Sequence, residues 1–160
     1  AAFSKEHLTV VEEEVRLLNN YTYIQKIRYD ERVEFILEIS DEVMDCVIPK
    51  MTLQPIVENS INYGVDQSAK PCKIRVNIYQ KGNRLIIRIT DDGPGMDKKH
   101  LEEVRRFKMK PKGNGIGLEN IRERLRLLFD EDYKFEINSV LREGTEVKIE
   151  VPCNRREAHV

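Results

Sequence analysis

The beginning of the chain carries a helical pattern of apolar residues. Between about residues 10 and 29, apolar side chains recur every three or four positions, which is the spacing of one helix face. Glu12, Glu13 and Glu14 occupy the first turn, where the positive end of the helix dipole favours acidic residues. The pattern therefore predicts an amphipathic helix with one buried face.

A second pattern, in which apolar and polar residues alternate, is typical of strands with one buried face. It occurs over about residues 33–39, 74–78, 85–89, 135–139 and 145–151. Gly82 lies between the second and third of these segments, and Gly144 lies between the last two. Because glycine suits tight turns, each of these two pairs is predicted to be a β-hairpin.

Helical spacing returns in three later segments, at about residues 50–63, 99–107 and 118–128. Pro55 fits the first of these helices only within its first turn, and Gly64 is expected to cap its end. The basic segment 108–114 contains a proline and has no apolar periodicity, so it is predicted to be a mobile loop.

The order of these elements predicts the fold class. Most strands pair as hairpins, and the helices can gather on one face of the resulting sheet. This arrangement is an α+β fold, a two-layer sandwich with a mixed, mostly antiparallel sheet and helices on one face.

Composition narrows the class of protein without identifying a function. The 160 residues are 40% hydrophobic and 34% charged, which suits one domain with a sizeable core. The formal net charge of −1 gives no field that would attract nucleic acid, and no apolar run is long enough to span a membrane. Cys46, Cys72 and Cys153 are odd in number and form no CxxC pair, so we expect reduced thiols.

Two glycine-rich turns are the first candidates for chemistry. DDGPG at 91–95 ends a predicted strand, and GNGIG at 113–117 opens a predicted helix, whose free N–H groups can bind a phosphate. Neither segment is a dinucleotide-binding GxGxxG motif or a P-loop. If the second motif stood alone, flexible glycines in a surface turn would explain it equally well.

Polar residues near these turns suggest a ligand. The carboxylate of Asp91 can accept a hydrogen bond from an exocyclic amine such as that of adenine, or it can cap its own turn. Glu58, Asn59, Asn62 and Tyr63 interrupt an apolar helix. An amide oxygen suits Mg²⁺, although helix capping near Gly64 is a competing explanation for the asparagines.

Together these motifs resemble the ATP-binding fold shared by sensor histidine kinases, DNA gyrase B, Hsp90 and MutL. The matching segments are an N box, LQPIVENSINYG at 53–64, and two glycine boxes, DDGPGM at 91–96 and GNGIGL at 113–118, separated by a variable lid. The segments VEEEVRLLNNYTYIQKIRYDER, IPKMTLQPIVEN and GIGLENIRERL are similar to histidine kinases of the YesM/LytS type. The resemblance extends from about residue 8 to residue 152.

The resemblance implies a site for ATP and Mg²⁺. Asn59 would bind the metal, Asn62 would approach the phosphates, and Tyr63 would pack against adenine or ribose. Asp91 would bind the adenine amine, with Gly95 close to the base and Thr145 joining through water. The other implied ATP contacts are Gly93, Met96, Lys108, Lys110, Lys112, Gly113, Gly115, Ile116, Gly117 and Leu118. For each lid lysine, a solvated basic loop is an equally good explanation.

The resemblance also implies which reaction is catalysed. The ATPases of this fold carry a water-activating Glu one helical turn before the magnesium Asn, and here that position is Pro55. Glu58 lies about 100° around the helix from Asn59, so phosphoryl transfer is favoured over hydrolysis. The histidines, His7, His100 and His159, are interpreted as ordinary surface residues, which places the phosphoacceptor outside this chain.

The implied organisation has three parts. Residues 1–30 would lead in from an upstream helical domain, 31–153 would form the ATP-binding domain, and 154–160 would be a polar tail. The expected partners are that upstream dimerisation and phosphoacceptor domain, a cognate response regulator and a second copy in a membrane-anchored homodimer, with this domain in the cytoplasm. An anti-sigma-type protein-serine kinase and a nucleotide-responsive docking module without transfer activity remain the alternatives.

Overall fold

Helices and strands follow one another in nearly the order that the sequence predicts. The structure is a computed structural model and describes residues 5–106 and 117–156. The helices are α1 (Val11–Tyr29), α2 (Leu53–Ser60), which continues into a π-helix (Ile61–Val65), α3 (Lys98–Arg105) and α4 (Leu118–Phe129). The strands are β1 (Leu8–Val10), β2 (Val33–Ile39), β3 (Val47–Pro49), β4 (Cys72–Lys81), β5 (Arg84–Asp91), β6 (Lys134–Val140) and β7 (Gly144–Pro152). No helix within the described ranges combines the length and apolar character needed to cross a membrane.

Five strands form one mixed sheet in the order β2-β4-β5-β7-β6. β2 and β4 are parallel, because the chain crosses over between them through α2 and the π-helix. The other neighbouring pairs are antiparallel, and both predicted hairpins, β4-β5 and β6-β7, are present. The predicted α+β fold with a mixed, mostly antiparallel sheet is therefore confirmed.

One face of this sheet packs against the helices. In β4, Ile74 and Val76 are fully buried, whereas their neighbours Lys73 and Arg75 are exposed. Each buried side chain of this kind contributes about 1.5–3 kcal/mol to stability. The helices supply the other half of the same core with residues that include Leu18 of α1, Ile56 of α2 and Leu125 of α4. The alternation in the strands and the helical stripes thus meet in one apolar layer.

The pair β1-β3 was not predicted. Each strand has three residues, which is too short to show alternation, and the two form a separate antiparallel sheet. The backbone N–H groups of Val11 and Glu12 donate to the carbonyls of Cys46 and Met44. This small sheet therefore fixes the start of α1 against the segment that leads into α2.

The expectation that Gly64 caps the N-box helix is wrong. Helical structure continues through Gly64 as the π-helix, in which the Asp66 N–H donates to the Ile61 carbonyl at 2.9 Å. A Cβ atom at Gly64 would lie 3.1 Å from Oδ1 of Asp91. Glycine stands here because the end of β5 packs closely against the helix backbone.

The expectation of three reduced thiols is also wrong for two of the cysteines. Cys46 and Cys153 form a disulfide between residues 107 positions apart, with their Cα atoms separated by 5.5 Å. The end of the chain brings them together, because Arg155 pairs with Cys46 in an isolated bridge next to β3. Cys72 is free and buried, and burial raises the pKa of its thiol to about 12.

Candidate functional site

A cavity of about 480 Å³ opens between the helical layer and the end of the sheet. Its walls come from α2, the π-helix, the end of β5, α3, the first turn of α4 and the β6-β7 pair. This volume lies in the range of small-molecule sites. The predicted site residues that line it are Asn59, Tyr63, Asp91, Gly95, Met96, Gly117, Leu118 and Thr145.

Asp91 lines this cavity at the end of β5, where it is paired on both sides, with Ile74 of β4 and Thr145 of β7. Its Oδ1 accepts a hydrogen bond from the Gly93 N–H at 3.0 Å. Burial raises the pKa of Asp91 to about 6. Hydrogen bonds from Gly93, Ser60 and Thr145 lower it, so burial is the larger effect. Near neutral pH the carboxylate is mostly ionised and can accept a hydrogen bond from a ligand amine.

The first glycine box is shaped by backbone contacts. A Cβ atom at Gly93 would lie 2.6 Å from Cα of Gly64, so the box and the N-box helix touch through their backbones. Gly95 has φ +66°, and a Cβ atom there would lie 2.1 Å from the carbonyl oxygen of Val140. Both positions require glycine, which keeps this wall of the cavity thin.

The helix that faces Asp91 presents polar groups along the cavity. Asn59 and Tyr63 line it, and the Ser60 hydroxyl hydrogen-bonds Asp91. Asn62 is half-buried outside the cavity lining, so its approach to phosphates stays a prediction. The π-helix that begins at Ile61 changes the direction of the residues after Ser60.

The start of α4 also lines the cavity. Gly117 is the residue before the helix and Leu118 is its first residue, and both line the cavity. The N–H groups of a first helical turn lack partners within the helix, so this end can bind an anion. The remaining candidates of this region, Lys108, Lys110, Lys112, Gly113, Gly115 and Ile116, lie outside the described residues.

Sequence reasoning missed Ser139, which links two walls of the cavity. The Ser139 hydroxyl donates to the carbonyl of Gly144 at 2.8 Å and shares a hydrogen bond with the Thr145 hydroxyl at 2.8 Å. It also accepts from the Met96 N–H at 2.8 Å. A polar residue in β6 directly opposite Thr145 in the predicted hairpin was the available signal.

The predicted surface histidines differ in their surroundings. His100 is half-buried on α3 and lines the cavity, so it is not an ordinary surface histidine. His7 is exposed, and His159 lies outside the described residues. His100 adds an imidazole to the wall that faces the α4 end of the site.

The residues present suit Mg²⁺ only together with phosphate oxygens. Within residues 5–106 and 117–156, no group of three or more His, Cys, Asp or Glu side chains could hold a metal ion. Asn59 offers one amide oxygen to the cavity, and Mg²⁺ commonly takes one or two protein ligands and completes its octahedron with phosphates and water. The Asn59 side chain therefore fits a nucleotide-bound metal.

Comparison with known proteins finds a matching family profile and related sequences. A profile of the family described as histidine kinase-, DNA gyrase B- and HSP90-like ATPase matches residues 48–155. Sensor histidine kinase YesM of Bacillus subtilis (strain 168) is 41% identical over 149 residues, which are 93% of this chain and 25% of that protein. Sensor histidine kinase YpdA of Escherichia coli (strain K12) is 33% identical over 149 residues, or 91% of this chain and 25% of that protein. The chain thus spans about a quarter of these relatives' length.

Solved structures agree on the fold. The nucleotide-free catalytic domain of histidine kinase ThkA has a TM-score of 0.67 at 16% identity and covers 91% of this chain and 94% of that one. Full-length ShkA in complex with AMPPNP has a TM-score of 0.69 at 20% identity and covers 100% of this chain and 34% of that one. The chain belongs to the histidine kinase-, DNA gyrase B- and HSP90-like ATPase family and corresponds to the catalytic domain of sensor histidine kinases.

Proposed function

We propose that this domain binds Mg-ATP in the cavity and donates the γ-phosphoryl group to a histidine on an upstream dimerisation domain outside this chain. The observation that carries the proposal is the placement of three unlike groups around one cavity. The half-buried carboxylate of Asp91, the helix N-terminus at Gly117 and the side chain of Asn59 all line it.

In this proposal the adenine base is recognised by the part of the cavity around Asp91. The Asp91 carboxylate accepts a hydrogen bond from the exocyclic amine of adenine, and the close backbone of Gly95 lets the flat ring approach. The Thr145 hydroxyl, oriented by Ser139, is placed to join through water. Tyr63 supplies an aromatic surface for the base or the ribose.

The phosphates would then extend toward α4. Backbone N–H groups at Gly117 and Leu118 would bind them, and Asn59 would hold the metal at the same phosphates. Bound Mg²⁺ would offset the negative charge that crowds the transferring group. Gly93 and Met96 belong to the base end, while Lys108, Lys110 and Lys112 stay candidates for the γ-phosphate.

Transfer is favoured over hydrolysis because the N-box helix offers no base to a water molecule. Pro55 occupies the position one turn before Asn59 and is buried. The carboxylates that line the cavity, among the described residues, are Asp91 and Glu119, and Glu58 is absent from that lining. Asp91 is hydrogen-bonded at the base end, so it lies far along the nucleotide from the γ-phosphate.

The same proposal implies how the full-length protein is organised. Residues 1–30 would connect the upstream domain, 31–153 would bind ATP and 154–160 would be a tail. The full-length protein would be a membrane-anchored homodimer that passes phosphate to a response regulator, with this domain in the cytoplasm.

The proposal is tested by incubating the full-length protein with Mg²⁺ and ATP labelled on the γ-phosphate. We expect label on the protein that is stable in base and lost in acid, as for phosphohistidine. At an ATP concentration near the wild-type Kd, Asp91→Asn should strongly reduce labelling, and the neighbouring exposed Asp92→Asn should retain it. Acid-stable label on a separate partner would indicate a serine kinase, and ATP binding with no label would indicate a docking module. Either result contradicts the proposal.

A further inference from the structure

Helix α1 contacts the N-box helix through a buried carboxylate at its entry. Glu14 is only 4% exposed, although it lies in the first turn of α1 among exposed or half-buried acids. Its Oε1 accepts hydrogen bonds from the N–H groups of Thr52 at 2.8 Å and Leu53 at 3.3 Å. Its Oε2 accepts from the Met51 N–H at 3.2 Å.

Leu53 is the first residue of α2, and Met51 and Thr52 directly precede it. A helix leaves its first N–H groups without partners inside the helix, and a negative charge near them is favoured by the helix dipole. The side chain of Thr52, directly before α2, caps none of them, because its hydroxyl donates to the Pro49 carbonyl. Glu14 therefore supplies from another helix the cap that α2 lacks.

Arg124 holds the same turn from the opposite side. Its guanidinium donates to the carbonyl of Lys50 and, at 2.6 Å, to the carbonyl of Met51. Met51 has φ +60°, a conformation that a non-glycine residue keeps only when its surroundings enforce it. In the turn 50–53, a side chain of α1 thus binds the N–H groups and a side chain of α4 binds the carbonyls.

Hydrogen bonds also join the far end of the N-box helix to the end of α1. Arg32, shortly after α1, donates to the carbonyl of Val65 at 3.3 Å, and the side chains of Tyr29 and Asp66 share a hydrogen bond. α1 and the turn after it therefore contact both ends of the segment that carries Asn59 and Tyr63.

We propose that Glu14 is a positioning residue for Asn59, which it acts on by fixing the start of α2 relative to α1 and α4. Asn59 lies less than two turns along α2 from the capped N–H groups, and Leu118 lies less than two turns along α4 from Arg124. The hydrogen bonds from Glu14 and Arg124 to the turn 50–53 thus set the distance between Asn59, the metal ligand, and the phosphate-binding end of α4. This inference rests on the proposed Mg-ATP site.

The quantity that reports this positioning is the magnesium gain, defined as the Kd for ATP in EDTA divided by the Kd with Mg²⁺. A residue that only stabilises the fold would lower the melting temperature and leave this ratio unchanged. Loss of a residue that positions Asn59 would lower the ratio, because Asn59 would hold the metal that accompanies the phosphates.

The experiment measures the magnesium gain by calorimetry for the wild-type chain and for Glu14→Gln, Glu14→Ala and Glu12→Gln. Glu12 is the matched control, because it lies in the same first turn of α1 but is exposed. We expect Glu14→Ala to reduce the gain about tenfold, as for residues that orient a metal ligand. Glu14→Gln keeps one acceptor oxygen and should give a smaller loss, and Glu12→Gln should match the wild type.

The outcomes separate this inference from the proposed function. If the wild-type chain shows no magnesium-dependent binding of ATP, the proposed function fails and the inference falls with it. If the wild-type chain shows the gain and both folded Glu14 variants keep it, only the positioning role is overturned. Should Glu14→Ala not fold, the nearly isosteric Glu14→Gln decides, and a gain equal to that of Glu12→Gln would overturn the inference.

Discussion

Asp91 is a carboxylate held where its surroundings disfavour its charge. Burial raises the pKa of Asp91 from 3.8 to about 6 in the folded chain, even though three protein groups hydrogen-bond it. A carboxyl group whose pKa is raised on folding binds its proton more tightly in the folded state. Its ionisation therefore lowers the free energy of unfolding as pH rises from about 4 to 6, and this loss persists at neutral pH.

The first prediction concerns stability. Asp91→Asn removes the buried charge and keeps an oxygen for the Gly93 N–H, so the nucleotide-free variant should be more stable than the wild type at pH 7.5, by on the order of 1 kcal/mol. Urea unfolding at pH 7.5 and pH 5 measures this, and the difference should shrink at pH 5. Asp92→Asn, at an exposed neighbouring position that keeps an oxygen for the Lys73 N–H, should show a smaller gain, because the Asp92 charge raises the pKa of Asp91 less than burial does. An Asp91→Asn variant less stable than the wild type at pH 7.5 would contradict the buried-charge interpretation.

The second prediction concerns binding. Protonation of Asp91 replaces the ionised acceptor proposed to bind adenine, so affinity for ATP should fall as pH is lowered through about 6. ATP also titrates in this range, and Asp91→Asn corrects for that contribution because it lacks the titrating carboxylate. Calorimetric Kd values between pH 7.5 and pH 5.5 provide the comparison. A wild-type profile no steeper than that of Asp91→Asn would argue against Asp91 as the titrating acceptor.

At the scale of elements, the connections before and after β5 each depend on a glycine, for two different reasons. Gly82, in the β4-β5 turn, has φ +62° and open space around its missing side chain. Gly95, in the first glycine box, has φ +66° and the backbone of Val140 in the way of any side chain. The Arg142 N–H donates to the Pro94 carbonyl at 2.6 Å, so the box and the β6-β7 turn are joined.

The third prediction uses this pair of glycines. Gly82→Ala should cost about 1 kcal/mol of stability, which is the conformational penalty alone. Gly95→Ala should cost about 3 kcal/mol or more, because the box must also move away from Val140. Urea unfolding measures both values, and ATP affinity should fall only for Gly95→Ala. Equal costs at the two positions would contradict the close packing at the first glycine box.

The elements with a repeating pattern could be predicted from the sequence, whereas contacts between distant residues could not. Helices α1 and α4 and the two hairpins follow from helical and alternating spacing. The strands β1 and β3, the π-helix after Ser60 and the pairing of Cys46 with Cys153 each depend on partners far along the chain. Local pattern therefore has no means of indicating them.

The candidate site shows the same contrast between residues in local motifs and residues whose contacts are distant in sequence. The motifs brought Asn59, Asp91 and Thr145 together as predicted, since each stands at the end of a recognisable element or in a turn. Ser139 and Glu14 were missed because their importance lies in hydrogen bonds to residues distant in sequence. The lysines and glycines of residues 108–116 lie outside the described residues and stay predictions.

At the scale of the whole molecule, one cavity joins segments that are separate along the chain. The end of β5, the N-box helix and the start of α4 meet there. Helices α1 and α4 both hydrogen-bond the turn 50–53, which leads into the N-box helix. A ligand that spans these segments binds only the folded chain and stabilises it. Nucleotide occupancy and the placement of α1 are therefore linked through the turn 50–53.

The most direct test of this account is calorimetric titration of the chain with ATP in the presence of Mg²⁺. The wild-type chain and Asp92→Asn should bind one equivalent with the same Kd. Asp91→Asn should bind about 30-fold more weakly, since a hydrogen bond to a charged group contributes about 2 kcal/mol. Undiminished binding by Asp91→Asn, or an equal loss in both variants, would contradict the assignment of the cavity as the ATP site.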